Sequence, residues 1–363
     1  MPLVDYTRTK RPVFDIDLDA DPYDRWQEVG RRNKAKLGRF LRDIESMAHE
    51  MVDTVLPAAP SWVPDFVKST TEALIRPLTT GVARVTGKLA SSIARSFGED
   101  YQAEIRGLAA ASGLPESKLF LANITYDLTV GREGLYGACS SFSVTVDEMP
   151  MLVRNMDWSM PESTGRYTVM TRLHKGRNSY INVAPLGCVG VLSAMRAGAW
   201  AVTLNQAPPT GRPQAFQWPA MHRLRAACDK SLTFPSLVRN IMEYQTMTSF
   251  FAHAVGTKPS EQVVIESAAD SFLKRRPAPG KPLIQTNHFV HANHRHHNGE
   301  EWQGRDCDIC ERYAAIHERL KKKPKDFADA FGRIRGRPVT HSETMNQMAL
   351  RPADGKAVVR VRD

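Results

Sequence analysis

The hydrophobic period changes at Cys139, and that break limits what the chain can fold into. Before it, residues 23–54 and 64–97 carry apolar side chains three and four apart, the spacing of a helical face. Leu74, Leu78, Val82, Val85, Leu89 and Ile93 form one such stripe, with Pro77 as a point of kinking. Two further helices are expected, from Glu99 to a stop at Ser112-Gly113 and across "ESKLFLANITYDL" after Pro115. After Cys139 the period becomes two. "SFSVTV", "MLVRN", "YTVMTRLH", "SYINVAP", "GVLSAM" and "AWAVTLNQ" read as successive strands, with turns at "DEMP", "KGRN" and "RAGA". Helices return near 219–229, 235–245 and 305–321, and a terminal hairpin turns at Asp354-Gly355. The expected class is α+β, with residues 1–138 as a mostly helical segment and 139–363 as a strand-rich one.

No run of about 18 apolar residues is present, so no spanning helix is expected. The first residues contain a β-like "VFDIDLD" and no apolar leader core, and the five cysteines suggest no disulfide framework. The expectation is a cytoplasmic chain with free thiols. The net charge is +10, and nearly all of the basic excess falls after Cys139. Much of it sits in "LKRR", "ERLKKKPK" and "RIRGR", which read as solvated helix ends and loops. No nucleic-acid motif accompanies it, so a nucleic-acid partner is not expected.

Cys139 stands after two small residues, in "YGACSSFSVTV". Alone, a free cysteine is more often a packing residue than a nucleophile. A nucleophilic cysteine acts as thiolate and needs a base and a cationic neighbour. Arg154 and Asp157, in "LVRNMDW", lie across one hairpin and could return beside it, although such a pair is also a common structural ion pair. No histidine is near in sequence. A cut between Ala138 and Cys139 would supply the missing base as a new α-amino group, whose reference pKa is about 7.7–8.0.

"ACSSFSVTVDEMPMLVRNMDW" resembles the nucleophile segment of the N-terminal-nucleophile (Ntn) hydrolases, and within them the acid ceramidase and N-acylethanolamine acid amidase family. Choloylglycine hydrolases, penicillin V acylases and acyl-CoA:6-aminopenicillanic acid acyltransferases are more distant relatives. "FDIDLDADPYDRW", "LPESKLFLANITYDL", "GCVGVLSAMRAGAWAVTLNQ" and "LIQTNHF" extend the resemblance over most of the chain. It implies an αββα sandwich and a cysteine amidase that hydrolyses an acyl amide through a thioester. The Ala138–Cys139 bond would be cut by the chain itself, and the two fragments would stay associated. By the same resemblance Cys139 is the nucleophile, Arg154 sits by the thiolate, and Asp157 binds the α-amino group. Asn287 donates to the oxyanion, Arg312 holds the site together, and Asn205 is a second oxyanion or substrate contact. No cofactor is implied. Family members often carry an acid after the position of Asn205. Here Gln206 stands there, and a neutral amide cannot titrate.

Other readings remain beside this one. The same acyl-enzyme could pass its acyl group to an amine, and penicillin V, bile-salt or acyl-homoserine-lactone amides are alternative substrates. "HFVHANHRHHN" followed by "CDIC" places His288, His291, His294, His296, His297, Cys307 and Cys310 close in sequence, a set that could bind zinc. A loop of solvated histidines is the plainer reading, and no metal is expected. Cys188 and Cys228 read as core. The Leu74–Ile93 stripe, with "LPAAPSWVPDFV" before it, suits either core packing or peripheral contact with a membrane.

Overall fold

Cys139 leads directly into a hairpin whose register places the candidate residues. Strand β2 (Ser140–Val146) turns through Asp147 and Glu148, with φ of 52° and 58°, into β3 (Met149–Asp157). Two successive left-handed residues are what a two-residue hairpin turn requires. Ser141 therefore pairs with Arg154 and Ser140 with Asn155. The computed structural model describes residues 13–54, 98–129, 139–158, 162–210, 217–268, 270–298 and 308–361. Ala138, Cys307 and the Leu74–Ile93 stripe lie outside the described residues.

Two sheets lie face to face. The larger contains β1 (Val13–Asp17), β4 (Thr168–Lys175), β5 (Asn178–Pro185), β6 (Ser193–Arg196), β7 (Trp200–Gln206), β8 (Phe250–Val255), β9 (Gln262–Ser267) and β10 (Phe272–Arg275), in that spatial order. The smaller runs β11 (Leu283–Gln285), β2, β3, β12 (Thr344–Arg351) and β13 (Lys356–Val361). β1 pairs in parallel with β4, so the N-terminal stretch supplies one strand of the larger sheet. The terminal hairpin is present, but its turn is four residues long. Arg351 pairs with Lys356, leaving Pro352 to Gly355 as the loop.

Alternation along the strands explains the layers. On β7, Trp200, Val202 and Leu204 join the core under the helices α1 (Gln27–Thr54), α2 (Glu99–Ser112), α3 (Glu116–Thr129), α4 (Ala220–Lys230) and α5 (Phe234–Ile241). Ala201, on the opposite face of β7, joins Leu152, Met195, Met348 and Leu350 between the sheets. On β2, Phe142, Val144 and Val146 pack under α6 (Asp308–Leu320) and α7 (Phe327–Gly332). The order is helices, sheet, sheet, helices: the expected αββα sandwich. Strands β8 to β11 escape the sequence reading. β8 and β9 are buried throughout, so both faces are covered and no polar alternation marks them.

α2 stops where glycine permits it. Gly113 has φ of 66° and its N–H bonds the carbonyls of Ala109 and Ala110. Gly107 has another role, since a Cβ there would stand 1.7 Å from the Tyr23 carbonyl oxygen. That close approach brings α2 against the entry to α1. There Glu104 accepts from Trp26 Nε1 at 2.9 Å, Arg25 Nη1 at 3.0 Å and Arg225 Nη2 at 2.8 Å. Glu104 and Arg225 are fully buried. Arg225 belongs to α4, so this ion pair ties the chain before Cys139 to the chain after it.

Asp127, on α3, makes a second such tie. Its Oδ1 accepts from Thr248 Oγ1 at 2.6 Å and from Ala220 N at 3.1 Å, the start of α4, where Pro219 offers no capping side chain. Its Oδ2 is buried without a partner. Burial pushes the carboxyl up to about 7, against the opposing pull of these hydrogen bonds.

Two outcomes follow from these ties. Glu104→Ala leaves Arg225 buried beside a missing charge, and chemical denaturation should show a loss of about 3–5 kcal/mol. The Asp127 pKa is raised in the folded state, so its stabilising contribution is complete below pH about 4 and is lost as pH rises through about 7. Melting curves of Asp127→Asn at pH 5 and pH 8 should therefore show a smaller pH-dependent drop than the parent.

Candidate active site

The site forms where the first residues of β2 meet the ends of β3 and β7. Cys139 is 5 % exposed. Arg154 Nη2 donates to its Sγ at 3.2 Å, and Sγ itself approaches the Asp157 carbonyl oxygen at 3.8 Å. The rest of the Arg154 guanidinium is held by neutral groups. Nη1 donates to Leu192 O and Ser193 Oγ, and Nη2 also to Leu204 O. Arg154 is 1 % exposed, and among the described residues no carboxylate lies within ion-pair distance of it. The structural ion pair of Arg154 with Asp157 is therefore not formed.

The Asp157 carboxylate is held by two residues that come after β3 in the chain. Its Oδ1 accepts from Thr344 Oγ1 at 2.6 Å, and its Oδ2 lies 3.4 Å from His341 Nε2. The hydrogen bond to Asp157 raises the His341 pKa. Arg312 approaches from α6. Its Nη1 donates to Cys139 O at 2.9 Å and Ser140 Oγ at 2.7 Å, and its Nη2 to Asn287 Oδ1 at 3.1 Å. Asn287 Nδ2 donates to Gln206 O at 2.8 Å. Cys139, Arg154, Arg312 and Asn287 are thus one hydrogen-bonded group, with the Asp157 backbone beside it.

Asn205 is adjacent and its orientation is fixed. Its Nδ2 donates to Ser141 Oγ at 3.2 Å, to Gln285 O at 3.2 Å and to Thr286 O at 3.4 Å, while its Oδ1 is buried with no partner among the described residues. Swapping the two amide atoms would turn an acceptor toward the Gln285 carbonyl, so the open atom is the oxygen. The flanking carbonyls are also engaged, Leu204 O by Arg154 and Gln206 O by Asn287. Tyr126, from α3, donates its hydroxyl to Asn205 O at 3.3 Å.

Sequence reasoning missed Tyr126, His341, Thr344 and His253. His253 is marked only as a single polar residue within the apolar "FFAHAV", and His341 and Thr344 are in the polar "VTHSETMNQ", where nothing singles them out. An apolar crevice lies near this group, lined by Phe40, Ile44, Ala122, Trp158, Leu192 and Met221 among others. Leu192 and Trp158 link it to the site, since Leu192 O holds Arg154 and Trp158 follows Asp157 in the chain.

The histidine-rich stretch is built for other contacts. His288 Nδ1 lies 2.9 Å from Thr286 Oγ1, and burial pushes its imidazole down to about 4. His294 Nε2 lies 2.9 Å from Ser271 Oγ, and its Nδ1 is 3.6 Å from Glu266 Oε2. His296 and His297 stack at 3.9 Å, and His291 lies against His294 at 6.3 Å. Among the described residues no group of three or more His, Cys, Asp or Glu is arranged to hold a metal. Cys188 and Cys228 are buried, and burial pushes the Cys188 thiol up to about 12. Among the described residues no helix is long and apolar enough to cross a membrane.

A family model described as the beta subunit of N-acylethanolamine-hydrolyzing acid amidase matches residues 9–78. The N-acylethanolamine-hydrolyzing acid amidase of Caenorhabditis elegans is 24% identical over 291 residues, 76% of this chain and 73% of the relative. Human acid ceramidase is 23% identical over 211 residues, 54% of this chain. The match spans 45% of that relative, under half of its length. Among solved structures, the Caenorhabditis elegans amidase ortholog aligns with a TM-score of 0.49 at 19% identity, covering 59% of this chain and 93% of that one. Penicillin V acylase from Agrobacterium tumefaciens aligns with a TM-score of 0.40 at 15% identity, covering 59% and 80%. By its sequence matches, the chain is similar to N-acylethanolamine-hydrolyzing acid amidase and acid ceramidase.

Proposed function

We propose that this chain hydrolyses an acyl amide, of the N-acylethanolamine or ceramide-like class, through a thioester on Cys139. One observation carries the reading: a buried guanidinium, with no carboxylate partner among the described residues, donates to the Cys139 sulfur. A desolvated cation in that position is balanced when the sulfur becomes a thiolate, the form that attacks a carbonyl. The relatives named for amide hydrolysis support the same chemistry.

The steps begin with the chain itself. The Cys139 thiol attacks the Ala138 carbonyl, the peptide nitrogen leaves as the free α-amine of Cys139, and water hydrolyses the resulting ester. Two fragments result, 1–138 and 139–363, held together by β1 in the larger sheet and by the Glu104–Arg225 pair. In each turnover the α-amine takes the thiol proton and the thiolate attacks the amide carbonyl. The amine then returns the proton to the departing nitrogen, and water releases the acid. Asp157, anchored by Thr344 and His341, positions the α-amine. Asn287, anchored by Arg312, supplies a donor to the oxyanion, an interaction worth about 2.7–4 kcal/mol in comparable sites. The crevice at Trp158 and Leu192 is the start of the acyl path.

Acid quenching during turnover of a palmitoyl amide, followed by denaturing mass spectrometry, tests this directly. An acyl adduct on the Cys139 peptide is expected, and Cys139→Ala should show neither adduct nor turnover. Turnover that persists in Cys139→Ala would end the proposal.

A further inference from the structure

Between the two sheets the side chains are apolar over most of the interface. Beside the site they are not. Ser141 and Ser143 of β2 point toward the larger sheet and meet His253 of β8, which is fully buried. His253 Nδ1 lies 3.0 Å from Ser141 Oγ and Nε2 lies 3.0 Å from Ser143 Oγ. Burial pushes the imidazole down to about 3, so it is neutral and has one N–H. An apolar trio would fill the same space at no loss of stability, because a buried hydrogen-bonded pair contributes little net over well-packed carbon. The trio is therefore better explained by the arrangement it imposes.

That arrangement follows from the hydrogens available. The Ser141 hydroxyl has one hydrogen, which the Gln285 carbonyl at 3.3 Å or His253 Nδ1 at 3.0 Å can accept. In either case Ser141 Oγ accepts from Asn205 Nδ2, and the His253 ring bridges Ser141 and Ser143 through its two nitrogens. Ser141 Oγ thus shares the donor end of the Asn205 amide with the Gln285 and Thr286 carbonyls, and the Asn205 Oδ1 has no partner among the described residues. Ser141 is two residues along the chain from Cys139 and pairs with Arg154, which donates to the Cys139 sulfur.

We propose that His253 is a positioning residue for substrate selection. Through Ser141 it holds the Asn205 amide with Oδ1 presented as an acceptor for the N–H of the scissile amide. The site thereby selects substrates with a secondary amide over the corresponding esters, which lack that hydrogen. This inference rests on the amidase reading and adds the residue that sets its preference for nitrogen.

The test uses the palmitoyl amide of 7-amino-4-methylcoumarin and the palmitoyl ester of 4-methylumbelliferone, with the full-length protein. His253→Phe removes both ring nitrogens and should lower kcat/KM for the amide by about tenfold relative to the ester, the effect of one hydrogen bond. His253→Asn retains a hydrogen-bonding group near the position of Nδ1 and should restore the parent ratio, whereas His253→Gln should not. Ser141→Ala breaks the same link with a smaller change of volume and should reproduce the loss of selectivity if His253→Phe fails to fold. Equal losses for amide and ester, or an unchanged ratio in Ser141→Ala, would overturn the assignment. A parent that cleaves neither probe and forms no Cys139 adduct would overturn the amidase reading, and this assignment with it.

Discussion

The site depends on one buried cation. Arg154 is taken from water by β3 and receives no carboxylate in exchange among the described residues. Carbonyl oxygens of Leu192 and Leu204 and the Ser193 hydroxyl accept from its Nη groups, but dipoles do not cancel a charge. The sulfur of Cys139 is the ionisable group it touches. The carbonyls come from the turn before β6 and from β7, so the larger sheet fixes the guanidinium while the smaller sheet fixes the thiol. The two-sheet architecture is in this sense the means by which one cation meets one sulfur in a dry place.

The same geometry explains why the candidate nucleophile lies inside the chain. β2 begins at Ser140, and Arg312 holds the Cys139 carbonyl and the Ser140 hydroxyl. The residue is fixed from its C-terminal side. Cutting on its N-terminal side would leave those contacts in place and would free an amine. The segments on either side of the cut share strands, a buried ion pair and one core, so separation of the backbone need not separate the fold.

Much of this was legible in the sequence. The change of period at Cys139, the turn residues in "DEMP" and the spacing to Arg154 and Asp157 led to a hairpin that returns the arginine to the cysteine, and Ser141 does pair with Arg154. Gly113 ended its helix as expected. Strands β8 and β9 were not legible, because burial on both faces removes the alternation by which a strand is recognised. Asp157 does end β3 beside the sulfur through its backbone oxygen, but its carboxylate contacts with Thr344 and His341, from the other end of the chain, had no local signal. Contacts set by distant strands, such as His253 with Ser141 over 112 residues, leave no local pattern to read.

The central claim is that Cys139 becomes the amino terminus of a working nucleophile. Intact mass analysis of the purified protein, beside Cys139→Ala, measures this most directly. The account predicts two associated fragments in the parent, the larger beginning at Cys139, and a single uncut chain in the variant. A parent that remains one chain and still hydrolyses the amide would contradict it.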